Sequence, residues 1–242
     1  VRLEAIFSLY KADSALARLN QDGILTAPPF ELLQCLALSS QIHAASNGLF
    51  DPSIQPLWAL YANRFAAGTA PTAEDLRKTQ TQVGWQNVTF DEEAIRLAPG
   101  MALTLNGIAQ GFIADRIADQ LRAEGLDNIL VNTGEFHALG SMPDGAAWPV
   151  QLTTGGDVPL VNRALASSAA LGTTFDQAGK VGHILNPRTG TPAPATWQLV
   201  SISAPQAALA DALSTTACLL GDKAAVQALI GKFDQAKIET LA

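Results

Sequence analysis

The sequence predicts an α+β fold, and three observations carry that prediction. Helical stripes and short apolar runs are mixed along the chain with no repeat or heptad. A strand-like run, a helical stripe and a second short run follow one another between positions 102 and 131. Beyond them, short strand-like runs with Gly/Pro loops lead to a terminal helical hairpin. The 242 residues are 48% hydrophobic and only 15% charged, against roughly 25% charged in an average soluble domain. One compact α+β unit over 1–242 is expected, with a division into two lobes about a cleft left open.

Taken in order, residues 1–9 read as the end of a helix, and Asp13-Ser14 caps a short turn through Leu19. Pro28-Pro29 opens a helix from Phe30 to Ser46, which Asn47-Gly48 ends. Thr72 with Asp75 resembles a capping box starting a helix to Gln82. Val88–Phe90 and Ile95–Leu97 flank a charged turn and predict a hairpin. Ala102–Leu105 alternates like a strand, and Ile108, Phe112, Ile113, Ile117 and Leu121 form a helical stripe ending at Gly125. With the run Ile129–Val131 this predicts a right-handed crossover between parallel strands. Strands are expected at Val150–Thr153, Ala164–Ser167, Val181–Leu185 and Leu199–Ser203, then helices over Gln206–Leu220 and Lys223–Lys232.

Composition also excludes several function classes. Lys plus Arg number 15 and Asp plus Glu 22, a formal charge of −7 with no basic cluster, which argues against nucleic acid. No run reaches the ~18 apolar residues of a membrane helix. Two cysteines, Cys35 and Cys218, make no disulfide framework and sit in apolar helical patterns, as buried thiols do. Position 1 is valine inside a helical pattern, so a leader or first strand is expected to have been removed or omitted.

Five segments could carry chemistry. Leu105-Asn106-Gly107-Ile108-Ala109-Gln110-Gly111-Phe112 brings small residues to a helix start, where main-chain amides favour an anion. Tight packing is the alternative. Asp211 and Thr215 lie four apart, one helical turn, and a carboxylate beside a hydroxyl suits a hard cation such as magnesium. The plainer account is an ordinary polar helix face. His183, before Asn186-Pro187-Arg188-Thr189-Gly190, could be a general base or only a local hydrogen-bonding group. Tyr10 could stack a flat ligand or anchor a surface. Asn47-Gly48-Leu49-Phe50-Asp51-Pro52 could read a heterocycle edge or be a plain turn. His43 and His137 read as structural.

In this order the segments resemble the ApbE family of FAD:protein FMN transferases over almost the whole chain. The likeness rests on Phe7 to Ser14, Gly48 to Asp51, Leu105 to Asp115, Leu130 to Glu135, His183 to Gly190 and Ala210 to Gly221. It implies a T-fold-like α+β architecture with mixed sheets and a flavin cleft, magnesium at the FAD pyrophosphate, and transfer of FMN to a Thr or Ser hydroxyl with release of AMP. By resemblance, Asp211 and Thr215 are metal-binding side chains and the Gly107 main chain faces the metal. Tyr10 packs on the isoalloxazine, and Leu49, Phe50, Asp51, Thr104, Gln110 and Leu185 are FAD-contacting positions. His183 deprotonates the incoming hydroxyl. The chain departs from the family where Thr104 replaces an acidic residue, Gln110 replaces Lys or Glu, and Asn186 replaces Asp; Gly134-Glu135-Phe136 stands for Gly-Gly-Asp.

The wording Leu-Asn-Gly-Ile-Ala-Gln-Gly with Asn-Thr-Gly-Glu is similar to a NosX-like subgroup. Its implied partner is an acceptor of a membrane redox system, of NosR type, at a periplasmic or otherwise extracytoplasmic site. FAD hydrolysis to FMN and AMP, or FAD storage without catalysis, are the rival functions.

Overall fold

The protein is described by a computed structural model covering residues 2–242. It forms two units, one comprising the chain up to Leu105 with Leu171–Ala193, the other Asn106–Ala170 with Pro194–Ala242.

The first unit begins with α1 (Glu4–Phe7) and α2 (Ala15–Asp22). Ser14 caps α2 by accepting the Ala17 N–H at 3.0 Å, as its position before an apolar stripe predicts. β1 (Ile24–Thr26) is followed by α3 (Phe30–Ala45), which ends as expected: Asn47 and Gly48 both take positive φ, 54° and 85°. α4 (Gln55–Ala66), with Pro56 in its first turn, was not foreseen from periodicity. α5 (Ala73–Gln80) starts on the complete Thr72/Asp75 capping box. β2 (Thr89–Phe90) and β3 (Ala94–Arg96) are the predicted hairpin, and β1 pairs with β3 to make a three-stranded antiparallel sheet.

Residues 101–105 correct an expectation. They alternate buried and half-buried, yet they form no strand. The Asn20 side chain takes both main-chain groups of Leu103 (2.8 and 2.7 Å), and Thr104 N–H donates to the Pro52 carbonyl. Side chain and turn thus satisfy what a neighbouring strand would have satisfied. Val181–Leu185 is likewise no strand, only two isolated bridges, Thr174 with Gly182 and Leu185 with Pro192. Leu57, Tyr61 and Leu185 form the buried cluster that seats this loop on α4.

The second unit holds α6 (Ala109–Ala123), β4 (Ile129–Asn132), β5 (Phe136–Leu139), the hairpin of β6 (Trp148–Gln151) and β7 (Asp157–Leu160), and β8 (Arg163–Ser168). β9 (Val200–Ala204), α7 (Ala207–Ala217), α8 (Lys223–Ile230) and β10 (Lys237–Leu241) complete it. The main sheet runs β10-β9-β8-β5-β4, antiparallel throughout. The parallel crossover is therefore overturned, because 102–105 never joins this sheet and β4 pairs only with β5.

Ala114 of α6, Ala164 of β8 and Ala207 of α7 meet in a cluster of small buried residues. Enlarging any of them would cost about 1–3 kcal/mol, the usual penalty of an overpacked core. Both cysteines are buried, and burial pushes the Cys218 thiol up to about 12, so they pack rather than react. Among the described residues no helix is long and apolar enough to cross a membrane.

Candidate active site

The second unit brings Gly107, Gln110, Asp211 and Thr215 into one neighbourhood. α7 is buried on nearly every side, which its small residues permit. Its interior hydroxyls are satisfied within the helix, Ser214 bonding the Asp211 carbonyl and Thr216 the Ala212 carbonyl. Asp211 is 4% exposed and Thr215 half-buried, so the pair does not lie on a solvated polar face. Asp211 Oδ2 accepts the Gly111 N–H at 3.2 Å, and Thr215 Oγ1 lies 3.3 Å from Ser168 Oγ. A Cβ on Gly107 would stand 3.1 Å from Thr215 Oγ1, which places the Gly107 main chain directly against that hydroxyl.

A second buried carboxyl, Glu135, follows the turn after β4 and accepts a main-chain hydrogen bond from Ser167. Burial and the nearby Asp211 charge push its pKa well up. Asp211 is raised too, by burial and then by Asp115, against the pull of the Gly111 bond. Among the described residues no Lys or Arg forms an ion pair with either. Two close, buried carboxyls without a cationic side chain form a place where a cation is electrostatically welcome. The donors are a carboxylate, a hydroxyl and main-chain oxygen, all hard, and so fit magnesium rather than a soft metal. Among the described residues no cluster of three His, Cys, Asp or Glu side chains is built for a metal. Oxygens from a bound phosphate would have to complete the shell.

Gly111 has a tighter role than the close approach expected of it. A Cβ there would lie 2.3 Å from the Ala207 carbonyl oxygen, where α6 meets the start of α7. Gly111→Ala is expected to destabilise the fold by ~1–3 kcal/mol or more through this clash. A urea melt checks it; an unaltered melt would contradict the close packing.

The first unit carries the remaining predicted residues. Tyr10 is 90% exposed, free to lie on a flat ring. Leu49 is half-buried and Phe50 buried; the Phe50 N–H donates to Ser46 Oγ and its carbonyl accepts from His43 Nδ1 at 2.9 Å. Asp51 caps the short turn at 52–54, with Oδ1 taking Ser53 N–H and Oγ–H and Oδ2 taking Trp85 N–H. Thr104 is half-buried and Leu185 buried. Gln110, in the second unit, is exposed, and its amide reaches toward the Thr133 carbonyl at 3.5 Å.

His183 Nδ1 lies 2.9 Å from the Thr173 carbonyl. A carbonyl only accepts, so Nδ1 carries the proton and Nε2 keeps its lone pair. Burial lowers the His183 pKa, and the Thr173 bond opposes this more weakly. The turn after it is fixed by Arg188, which donates to the Asn47 carbonyl at 2.6 Å, and by Gln80, which donates to the Pro187 carbonyl at 3.2 Å.

The sequence marks Glu135 only within the motif Gly134-Glu135-Phe136 and assigns it no role; its signal is an acidic residue beside a positive-φ glycine, Gly134 at 105°. The sequence does not mark the aromatic residues near His183: Trp58 and Phe65 lie on α4, which periodicity does not reveal, and Phe175 in the loop that folds onto it.

Comparison with known proteins shows the family of the chain. A FAD:protein FMN transferase of Treponema pallidum is 32% identical over 246 residues, covering 90% of this chain and 68% of its own. One of Haemophilus influenzae is 29% identical, covering 93% of this chain and 71% of its own. The crystal structure of the Pseudomonas stutzeri flavinyl transferase ApbE, apo form, superposes with a TM-score of 0.82 at 27% identity, over 96% of this chain and 76% of that one. The ApbE family model matches residues 1–239, and the chain belongs to the ApbE family.

Proposed function

We propose that this protein transfers FMN from FAD to a Thr or Ser hydroxyl of an acceptor protein, with magnesium, releasing AMP. The observation that carries the reading is buried Asp211 one helical turn from half-buried Thr215, with the buried Glu135 carboxyl near Asp211, on a chain whose relatives bear the name FAD:protein FMN transferase. Phosphoryl-type transfer needs positioning and charge neutralisation more than covalent help from the protein. Asp211, Thr215 and the Gly107 main chain would hold magnesium, which when bound would neutralise pyrophosphate charge and stabilise the departing AMP. Tyr10 stacks on the isoalloxazine, and Leu49, Phe50, Asp51, Thr104, Gln110 and Leu185 contribute further contacts to FAD.

His183 acts at the acceptor. Its Nε2 takes the hydroxyl proton as the acceptor oxygen bonds to the FMN phosphorus. The bond from that phosphorus to the AMP phosphate oxygen breaks, its electron pair leaving with AMP. The Thr173 carbonyl holds the ring in the tautomer this requires. The acceptor belongs to a membrane redox system, NosR-like in kind, and the reaction takes place outside the cytoplasm; the motif wording shared with NosX-like proteins supports this.

The test is incubation with FAD, magnesium and an acceptor bearing a Ser/Thr-Gly-Ala-Thr-like motif. A fluorescent acceptor band with stoichiometric AMP is the expected result. AMP without labelled acceptor would make the protein a FAD pyrophosphatase, and intact FAD would make it a binding protein.

A further inference from the structure

A cavity of about 450 Å³ lies wholly in the first unit, between α4 and the loop that carries His183. Trp58, Ala62 and Phe65 line it from the helix, and Thr173, Phe175 and His183 from the loop. Its size is that of a small-ligand pocket, and neither α4 nor the loop offers it a carboxylate, lysine or arginine. Among the described residues His183 is its one titratable group. Thr174 and Gln177 also line it; a phosphate would find no charged partner there, whereas an apolar group would find the rings of Trp58, Phe65 and Phe175.

Those walls are already set. Phe175 stacks on Tyr61 at 5.3 Å and on Phe65 at 6.4 Å, and Trp58 meets it edge-on at 5.4 Å. The Thr173 carbonyl, in the same loop, holds the His183 ring. A group entering the cavity therefore meets a preformed surface and little side-chain entropy is lost. None of Tyr10, Leu49, Phe50, Asp51, Thr104 or Leu185, the first-unit residues assigned to FAD, lines it.

We infer that this cavity receives an apolar side chain of the acceptor polypeptide, one or two residues from the hydroxyl that His183 deprotonates. The inference rests on the transfer reading above and adds the selectivity of the acceptor. Because His183 is both base and cavity wall, a hydroxyl at Nε2 leaves its neighbours along an extended chain, ~3.3 Å per residue, within reach of the aromatic walls. An apolar neighbour gains burial there, whereas a charged one loses water for no partner.

The test uses the intact protein with FAD, magnesium and synthetic peptides that share a Ser-Gly-Ala-Thr core. Each of the two residues that follow the acceptor Thr is varied among Ala, Leu, Asp and Lys. At one position Leu should lower the peptide KM about tenfold against Asp, the scale of one well-buried anchor. Filling the cavity by Ala62→Trp, or from its exposed rim by Ala66→Trp, should raise the KM for the Leu peptide to that of the Asp peptide. The FAD dissociation constant, read from flavin fluorescence, should stay put. A benzophenone at the selective position should crosslink to residues 58–66.

If both variants keep full Leu-over-Asp selectivity, the inference fails while transfer stands. Weakened FAD binding with unmoved peptide KM would assign the cavity to the flavin instead. A wild-type protein that labels no peptide sinks the transfer reading and this inference with it.

Discussion

Asp211→Asn is expected to abolish magnesium-dependent transfer, by a factor on the order of 10³ or more, because the lost Lewis-acid stabilisation is worth several kcal/mol. The same change should stabilise the metal-free protein at alkaline pH. Burial raises the Asp211 pKa above the ordinary 3.8, and Asp115 adds to it. A carboxyl raised on folding contributes stability that is complete below the ordinary value and is lost as pH climbs through the raised one. At pH 8 the metal-free wild type must therefore bury an uncompensated charge that the neutral amide of Asp211→Asn does not carry. Its melting temperature should lie below the variant's at pH 8, with the gap closing toward pH 4. Magnesium should raise the wild-type melt and leave the variant unchanged. Thermal melts with and without metal at the two pH values decide it. A variant that still turns over with magnesium would remove Asp211 from the metal site.

His183→Ala should cut transfer by 10²–10⁴, the usual reach of general base catalysis, while FAD binding survives. The pH profile adds a second signature. Burial lowers the His183 pKa from 6.5, so Nε2 remains an unprotonated acceptor below that value. The rate of the wild type should hold its plateau through pH 6.5 and fall only on further acidification, and this limb should vanish in the Ala variant. Stopped assays of labelled acceptor across pH 5–8 measure it. Loss of FAD binding in His183→Ala would make the residue a support for its loop instead.

Local signals in the sequence were read correctly where the cause is local. Ser14, Thr72 with Asp75, and Asn47-Gly48 act through hydrogen bonds and φ angles within a few residues; the first two start helices and the third ends one where expected. Strand pairing is a different matter. Residues 102–105 have the alternation of a strand, but the groups that claim them are Asn20 and Pro52, far away in sequence. The short β1 and β10 are likewise set by distant partners, β3 and β9, and β5 has a distant partner in β8 besides its hairpin partner β4. In the candidate site, the one-turn spacing of Asp211 and Thr215 was visible because a helix makes it so. The burial of Asp211 was not, since it depends on α6 and the sheet closing over a helix whose sequence is merely rich in alanine. Glu135 and the aromatic cavity lay beyond local rules for the same reason.

Gln206 provides no side-chain cap for α7; instead the Asp115 carboxylate of α6 takes the Ala207 and Ala208 N–H groups at 2.7 and 3.0 Å, itself held by His137 of β5 at 2.7 Å. The segment that bears Asp211 and Thr215 thus has no autonomous beginning, and an excised peptide of that stretch would not keep them aligned. Their alignment is a property of the assembled unit, fixed when the chain folds. The cation proposed for them would therefore need only two protein side chains, because the protein would have no ordering left to do at the moment of capture.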